Sequence, residues 1–268
     1  MGHTQWMDSA PARAVLLAAG RGQRLGALGA DKPKCLLEFE GTSLLQRHLR
    51  TLAARGVAEL FVVTGYRYPD VVAELERGSP LTVHRLMNLD FDQGSVMSLW
   101  RARDQLRRGG EVLLMDADVL YAPEVLDPLI RVRGTGLLMD RACDPDDPEP
   151  VKVCVREGRV VELSKTLAPT LRYDHLGESV GFFRLSEGSA RALADEVDRR
   201  VDQTRLDEPY EAALREVLLE AAEPCRVHDV SGLPWIEIDF AEDVERARHE
   251  IMPRLGESTL RQSGLPGR

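Results

Sequence analysis

Cysteine is scarce in this chain. Cys35, Cys143, Cys154 and Cys225 are the whole supply. No two stand as C-x-x-C, which argues against a zinc knuckle and points to scattered thiols in a reduced compartment, read here as the cytoplasm. No apolar run approaches the ~20 residues of a membrane span. The opening MGHTQWMDSAPAR lacks the apolar core of a secretion signal. Basic excess is missing too: the net charge is −9 and the pI is near 5.3, a poor balance for nucleic acid or an anionic membrane. No internal repeat or coiled-coil heptad is present. What remains is an ordinary globular composition, 43% hydrophobic over 268 residues, enough for one full core.

Against that acidic background one stretch stands out, LLAAGRGQRLGALGADKPK at 16–34. An apolar run turns abruptly into glycines and cations. Glycines let main-chain N–H groups approach anionic oxygens, and Arg21, Arg24, Lys32 and Lys34 supply countercharge. Two familiar phosphate loops are excluded. After Gly26 comes Ala27, where a P-loop needs Lys, and Leu25 fills the third glycine position of the dinucleotide fingerprint. The composition of the loop fits a polyphosphate.

Apolar runs at 14–19, 60–64, 81–86 and 112–115 read as strands. Helical spacing at 43–54, 71–76, 95–106 and 123–132 separates or follows them. This alternation predicts a mostly parallel sheet covered on both faces, with ligands at the carboxyl ends of the strands. The glycine-rich loop and Asp116-Ala117-Asp118 both follow strand ends and are expected in one cleft. The second half predicts short strands at 136–139, 151–155, 159–163 and 179–185, with a Glu157-Gly158 hairpin turn and a breaker-rich loop at 144–150. Helices follow at 187–201 and 209–221, late strands at 225–230 and 236–238, and a final helix at 241–252. The expected organisation is an extension at 1–12, one domain at 13–254 with a substrate-side insertion at 136–185, and a flexible tail at 255–268.

The motif resembles that of nucleotidyltransferases joining a nucleoside triphosphate to a phosphorylated small molecule. Leu17, Ala18, Ala19, Gly20, Gly22, Arg24, Leu25, Gly26, Pro33 and Lys34 carry the likeness. Lys32 departs from it, since many members have Thr there. The resemblance implies a Rossmann-like α/β/α sandwich, mixed and mostly parallel, with a small substrate-side β insertion. It assigns Arg24 to the triphosphate and Lys34 to the charge developing near the α-phosphate. It implies Mg²⁺ held by Asp118 and by Asp239 of the Trp235-Ile236-Glu237-Ile238-Asp239 segment, with Asp116 as the alternate. Without the family, Asp239 reads equally as the cap of the helix that follows.

The base is expected against Ala18, Ala19 and Gly20, with Gln93, Gly94 and Ser98 offering hydrogen bonds to a pyrimidine edge. Residues alone would make Gln93-Gly94 a turn before a helix. Lys165 is the candidate for the acceptor's phosphate. Glu178, Gly181, Tyr173, Tyr210, Glu211 and Trp235 are the further acceptor-side candidates, aromatic faces and carboxylates being suited to an ammonium group. Later segments (N-x-x-x-x-x-G-S-x-x-S-L, D-A-D, Y-E-x-x-L, W-x-E-I-D) resemble the CTP:phosphocholine and phosphonate cytidylyltransferase branch. The implied reaction is CMP transfer from CTP, with phosphocholine favoured as acceptor. A phosphonate such as 2-aminoethylphosphonate or a hydroxyalkylphosphonate comes next, then a sugar or inositol phosphate. A non-catalytic nucleotide sensor is the reading from another class. A homodimer stays open.

Overall fold

The computed structural model describes residues 10–30 and 32–255. Most of the expected N-terminal extension and all of the expected tail beyond 255 lie outside the described residues. Along the chain run β1 (Arg13–Ala18), α1 (Ala27–Ala30), β2 (Glu38–Phe39), β3 (Thr42–Ser43), α2 (Leu44–Ala54), β4 (Glu59–Thr64), α3 (Tyr68–Glu76) and β5 (Thr82–Met87). They continue with α4 (Ser95–Arg101), α5 (Arg103–Arg107), β6 (Val112–Asp116), β7 (Val119–Tyr121), α6 (Asp127–Arg131), β8 (Gly136–Asp140), β9 (Lys152–Arg156) and β10 (Arg159–Ser164). The last are β11 (His175–Leu185), α7 (Glu187–Asp202), α8 (Tyr210–Glu220), β12 (Arg226–Asp229), β13 (Trp235–Glu237) and α9 (Ala241–Arg246).

The apolar runs of β1, β4 and β6 are buried almost throughout, as strands covered on both faces must be. β6, β1, β4 and β5 lie side by side and parallel. Their two faces carry separate cores. Ala14, Leu16, Val62 and Leu113 pack with α2, α3 and the segment after β7. Val15, Val63 and Leu114 pack with α4, α7 and α8. The result is the expected α/β/α sandwich. α2 starts where Ser43 Oγ accepts from the Gln46 N–H, a side-chain cap.

β11 is shared. Residues 175–178 pair antiparallel with β9, and 182–185 pair antiparallel with β6. Its other edge takes β8, which in turn takes β12. The register slips between Ser179 and Phe183, where Gly181 adopts φ +77. An alanine Cβ at 181 would lie 2.4 Å from Asp116 Oδ2, so backbone angle and space both require glycine there. β9 and β10 form the expected hairpin, with Glu157 and Gly158 both at positive φ, as a tight two-residue turn demands.

Several expectations change. The helix at 95–106 is two helices, because Ala102 sits at ψ −2 and breaks the ladder. The helix at 241–252 widens into a π-type turn at Ala247–Ile251. β7 is an unforeseen strand. It pairs antiparallel with β13 (Val119 with Glu237, Tyr121 with Trp235), and the Ile238 N–H extends that ladder to the Asp118 carbonyl at 2.9 Å. No helix among the described residues is long and apolar enough to cross a membrane.

Candidate active site

A cavity of about 660 Å³ opens at the carboxyl ends of β1 and β6. Its walls are the glycine-rich loop, the 91–98 segment, Asp116–Asp118, the start of α8 and the end of β13. The loop is anchored by Leu25, 1% exposed. Gly22 has φ +62, and a Cβ there would lie 2.9 Å from Lys34 Cγ. Glycine therefore lets the loop lie against the lysine stem.

The short β7–β13 ladder explains how residues far apart in sequence meet. It sets Asp118 beside Asp239, with Lys34 between them. Lys34 Nζ donates to Asp118 Oδ2 at 2.9 Å and to Asp239 Oδ1. Burial opposes the ammonium charge, but the two carboxylates outweigh it and the Lys34 pKa is raised. Arg24 donates to Asp239 Oδ2 at 2.6 Å and to Glu149, and its guanidinium lies over the Phe240 ring. Lys165 Nζ lies 3.8 Å from Glu149 Oε2. Asp239 does not cap the helix that follows. Asp243 Oδ2 takes the N–H groups of Asp239 and Phe240 at 3.0 and 2.8 Å, which leaves the Asp239 side chain to the cavity.

Carboxyl groups crowd this end. Carboxylate oxygens of Asp118, Glu237 and Asp239 lie within 4.8 Å of one another. Burial, with the charges of Asp118 and Asp239, pushes the Glu237 carboxyl up to about 8. Asp116 is raised by burial and by Glu211 and Asp118, and accepts from the Tyr210 hydroxyl at 2.7 Å. Burial also raises Glu211, whose Oε2 is buried without a hydrogen-bond partner. An all-oxygen donor set with surplus negative charge suits a hard divalent cation. The Asp118–Glu237–Asp239 group fits the implied metal.

The expected nucleotide-side residues Leu17, Ala18, Ala19, Gly20, Gly22, Gln93, Gly94 and Ser98 all line the cavity. Gly94 also has a packing role. Its N–H donates to the Leu206 carbonyl at 2.8 Å, and a Cβ would lie 2.1 Å from the Glu208 carbonyl oxygen. It permits close approach of the 206–208 backbone, which leads into Tyr210 and Glu211. Ser98 Oγ accepts from the buried Asn88 at 3.1 Å. Of the four loop cations, Arg21 pairs with Asp92 and Lys32 with Glu38. Lys32 lies outside the lining, and Arg24 and Lys34 reach the carboxylates.

On the other side, Lys165, Gly181 and Glu211 line the cavity, whereas Glu178, Tyr173 and Trp235 do not. Strand alternation separates Glu178 from Ser179, the neighbour that lines the cavity. Trp235 turns its Nε1 to Asp140 Oδ2 at 2.8 Å, and Tyr173 is 40% exposed in the segment before β11. Glu149 and Glu237 were missed. Glu237 lay inside the W-x-E-I-D segment as a second carboxylate, but no local pattern marked Glu149 in the 144–150 loop.

A model of the MobA-like NTP transferase domain matches residues 14–181. The chain is 30% identical over 245 residues to the "Bifunctional IPC transferase and DIPP synthase" of Thermococcus kodakarensis, covering 90% of this chain and 51% of that protein. It is 28% identical over 256 residues to the "CMP-5'-(3-aminopropyl)phosphonate synthase" of Streptomyces rubellomurinus, covering 92% of this chain and 40% of that protein. It thus spans about half or less of these curated relatives. The inositol-1-phosphate CTP transferase from T. maritima superposes with a TM-score of 0.74 at 21% identity, over 96% of this chain and 99% of that one, a likeness of fold.

Proposed function

Because the chain belongs to the MobA-like NTP transferase domain family, we propose that it transfers CMP from CTP to a small phosphorylated or phosphonylated acceptor, releasing pyrophosphate. An acceptor oxygen attacks the α-phosphorus, and the bond to the β-phosphate oxygen breaks, its electron pair leaving with pyrophosphate. No enzyme nucleophile is needed. Positioning and charge stabilisation carry such a step. The observation that carries this reading is Lys34 held between Asp118 and Asp239 beneath the glycine-rich loop. Arg24 would exchange its carboxylate partners for the triphosphate, and Lys34 would stabilise charge at the α-phosphate. Asp118, Asp239 and Glu237 would hold Mg²⁺, which supplies countercharge to the phosphates when bound. Ala18–Gly20, Gln93 and Ser98 would frame the base.

The geometry favours an acceptor with a primary ammonium over phosphocholine. A quaternary ammonium is best held by several aromatic faces. Among the described residues the lining aromatics are Phe91 and Tyr210, and the Tyr210 hydroxyl is committed to Asp116. Glu211, with an unpartnered carboxylate oxygen, suits a hydrogen-bonding ammonium. Lys165 suits the phosphate or phosphonate at the other end. The aminopropylphosphonate named in the Streptomyces relative has these two ends.

The test is pyrophosphate release with CTP, Mg²⁺ and a panel of aminoalkylphosphonates, hydroxyalkylphosphonates, phosphocholine, inositol phosphate and sugar 1-phosphates. The highest kcat/KM is expected for an aminoalkylphosphonate. Binding of CTP with no turnover of any acceptor would favour the sensor. Asn at 118 or 239 is expected to weaken the Mg²⁺ dependence, and an unchanged requirement in both variants would remove those ligands.

A further inference from the structure

We propose that Lys152, which does not line the cavity, is a positioning residue for its acceptor side. Its buried ammonium ties the 144–150 loop to the end of β10. The proposal rests on the reading of Lys165 as an acceptor-side group, with Glu149 as its ion-pair partner across the cavity mouth.

Lys152 is 2% exposed. Burying a lysine is costly unless its charge is met. Here Nζ donates to the main-chain carbonyl of Asp147 and, at 3.1 Å, to that of Lys165. One side chain therefore joins the segment that carries Glu149 to the residue whose own ammonium reaches Glu149. Its cross-strand partner is Glu178, so the two side chains share a face.

Apart from the contacts of the Glu149 carboxylate with Arg24 and Lys165, the loop's remaining ties are local. The Asp146 N–H donates to Asp144 Oδ1 and the Glu149 N–H to Asp147 Oδ1, each at 2.9 Å. Those local turns shape the loop without fixing its height over the cavity. The next residue on the strand side, Val151, lines the cavity and its carbonyl accepts from the Ser179 N–H at 2.8 Å. The Lys152 ammonium thus acts one residue beyond the wall, from the opposite face of β9. Without it, the Glu149 segment and Lys165 lose their common main-chain tether, while Arg24 keeps its bond to Asp239 and Lys34 its bonds to Asp118 and Asp239.

The experiment is Lys152→Met, of similar length without charge, assayed with CTP and the best acceptor of the panel. The acceptor KM is expected to rise about tenfold from the misplaced groups, with the CTP KM unchanged within about twofold and kcat largely kept. Glu149→Gln should cost less in the Lys152→Met background than in wild type. Hydrogen exchange of the substrate-free protein is expected to quicken at 144–150 and 165–167 but not in β1 or β6. Equal shifts in both KM values, or unchanged exchange in the loop, would overturn the proposal. If the Met variant does not fold, Lys152→Gln carries the same comparison. The exchange arm needs no turnover, so it judges the clamp even if the panel refutes the transferase reading.

Discussion

Replacing Lys34 by Met should separate two properties that usually fall together. The ammonium lies between Asp118 and Asp239, and the three side chains are 15%, 21% and 14% exposed respectively. Unit charges 4 Å apart attract by about 4 kcal/mol at an effective dielectric near 20. Removing one partner of a buried pair costs about 3–5 kcal/mol. These groups keep some contact with water, so we expect a loss of about 2–4 kcal/mol in metal-free buffer. For a chain this size that lowers Tm by roughly 4–15 °C. The freed carboxylate oxygens then face each other and Glu237, and they are the oxygens a divalent cation would use. The ammonium competes with that cation, so the Met variant should bind Mg²⁺ or Mn²⁺ at least about tenfold more tightly without nucleotide. It should regain Tm as the cation is added. Turnover should nevertheless fall by about 10²–10³, the usual cost of losing a charge-stabilising donor. Thermal melts with and without cation, calorimetric titration and pyrophosphate release read the three outcomes. A Met variant that binds the cation no more tightly than wild type would refute the competition on which the argument stands.

Three further outcomes follow from contacts around the cavity. Gly181→Ala should destabilise by about 2–4 kcal/mol, combining a left-handed alanine with overpacking against Asp116; urea titration should find less than additive loss with Asp116→Ala, and strict additivity would contradict the clash. Burial, with Asp140 and Asp147, pushes the Glu178 carboxyl up to about 7 despite Arg246 and Lys152 nearby. The folded state therefore holds this proton longer than the unfolded chain, and stability drains away as pH rises from about 4.5 through about 7. Glu178→Gln should gain about 1–2 kcal/mol at pH 8 and almost nothing at pH 4, so parallel stability–pH curves would exclude it. Trp235→Phe should cost about 1–3 kcal/mol through the lost bond to Asp140 with the acceptor KM unchanged, and a KM rise above about fivefold would put the indole back in the site.

The parts of the site that were legible are local ones. The glycines, Arg24 and Lys34 sit in one short stretch, and the two aspartates follow apolar runs, so each leaves a compact trace. Fold class was legible from the same runs, because parallel strands buried on both faces read as uninterrupted apolar blocks. The acceptor side was not. Glu149 lies in a loop whose composition says only that the chain turns. Trp235 and Tyr173 looked like ligand groups because an aromatic residue in sequence carries no sign of which way it faces. The parity of Glu178 against Ser179 and Gly181 was a usable signal, since odd spacing on a strand means opposite faces unless a bulge intervenes. The packing role of Gly94 was not legible, because nothing nearby in sequence announces the 206–208 backbone it makes room for.

The way β11 divides its edge has a consequence for inheritance. One strand serves two masters, four residues laddered to β9 and four to β6, and between them its ladder with β8 shifts register. The β9–β10 hairpin ladders only with residues 175–178 of β11, on the far side of Gly181 from the β6 ladder. The parallel strands make no ladder with the hairpin, and the link from the 144–150 loop to the nucleotide side is the Glu149–Arg24 pair. A chimera carrying a foreign 144–165 segment should keep its nucleotide chemistry while taking on a different small-molecule taste. A lineage could move between acceptors in the same fashion, one hairpin at a time.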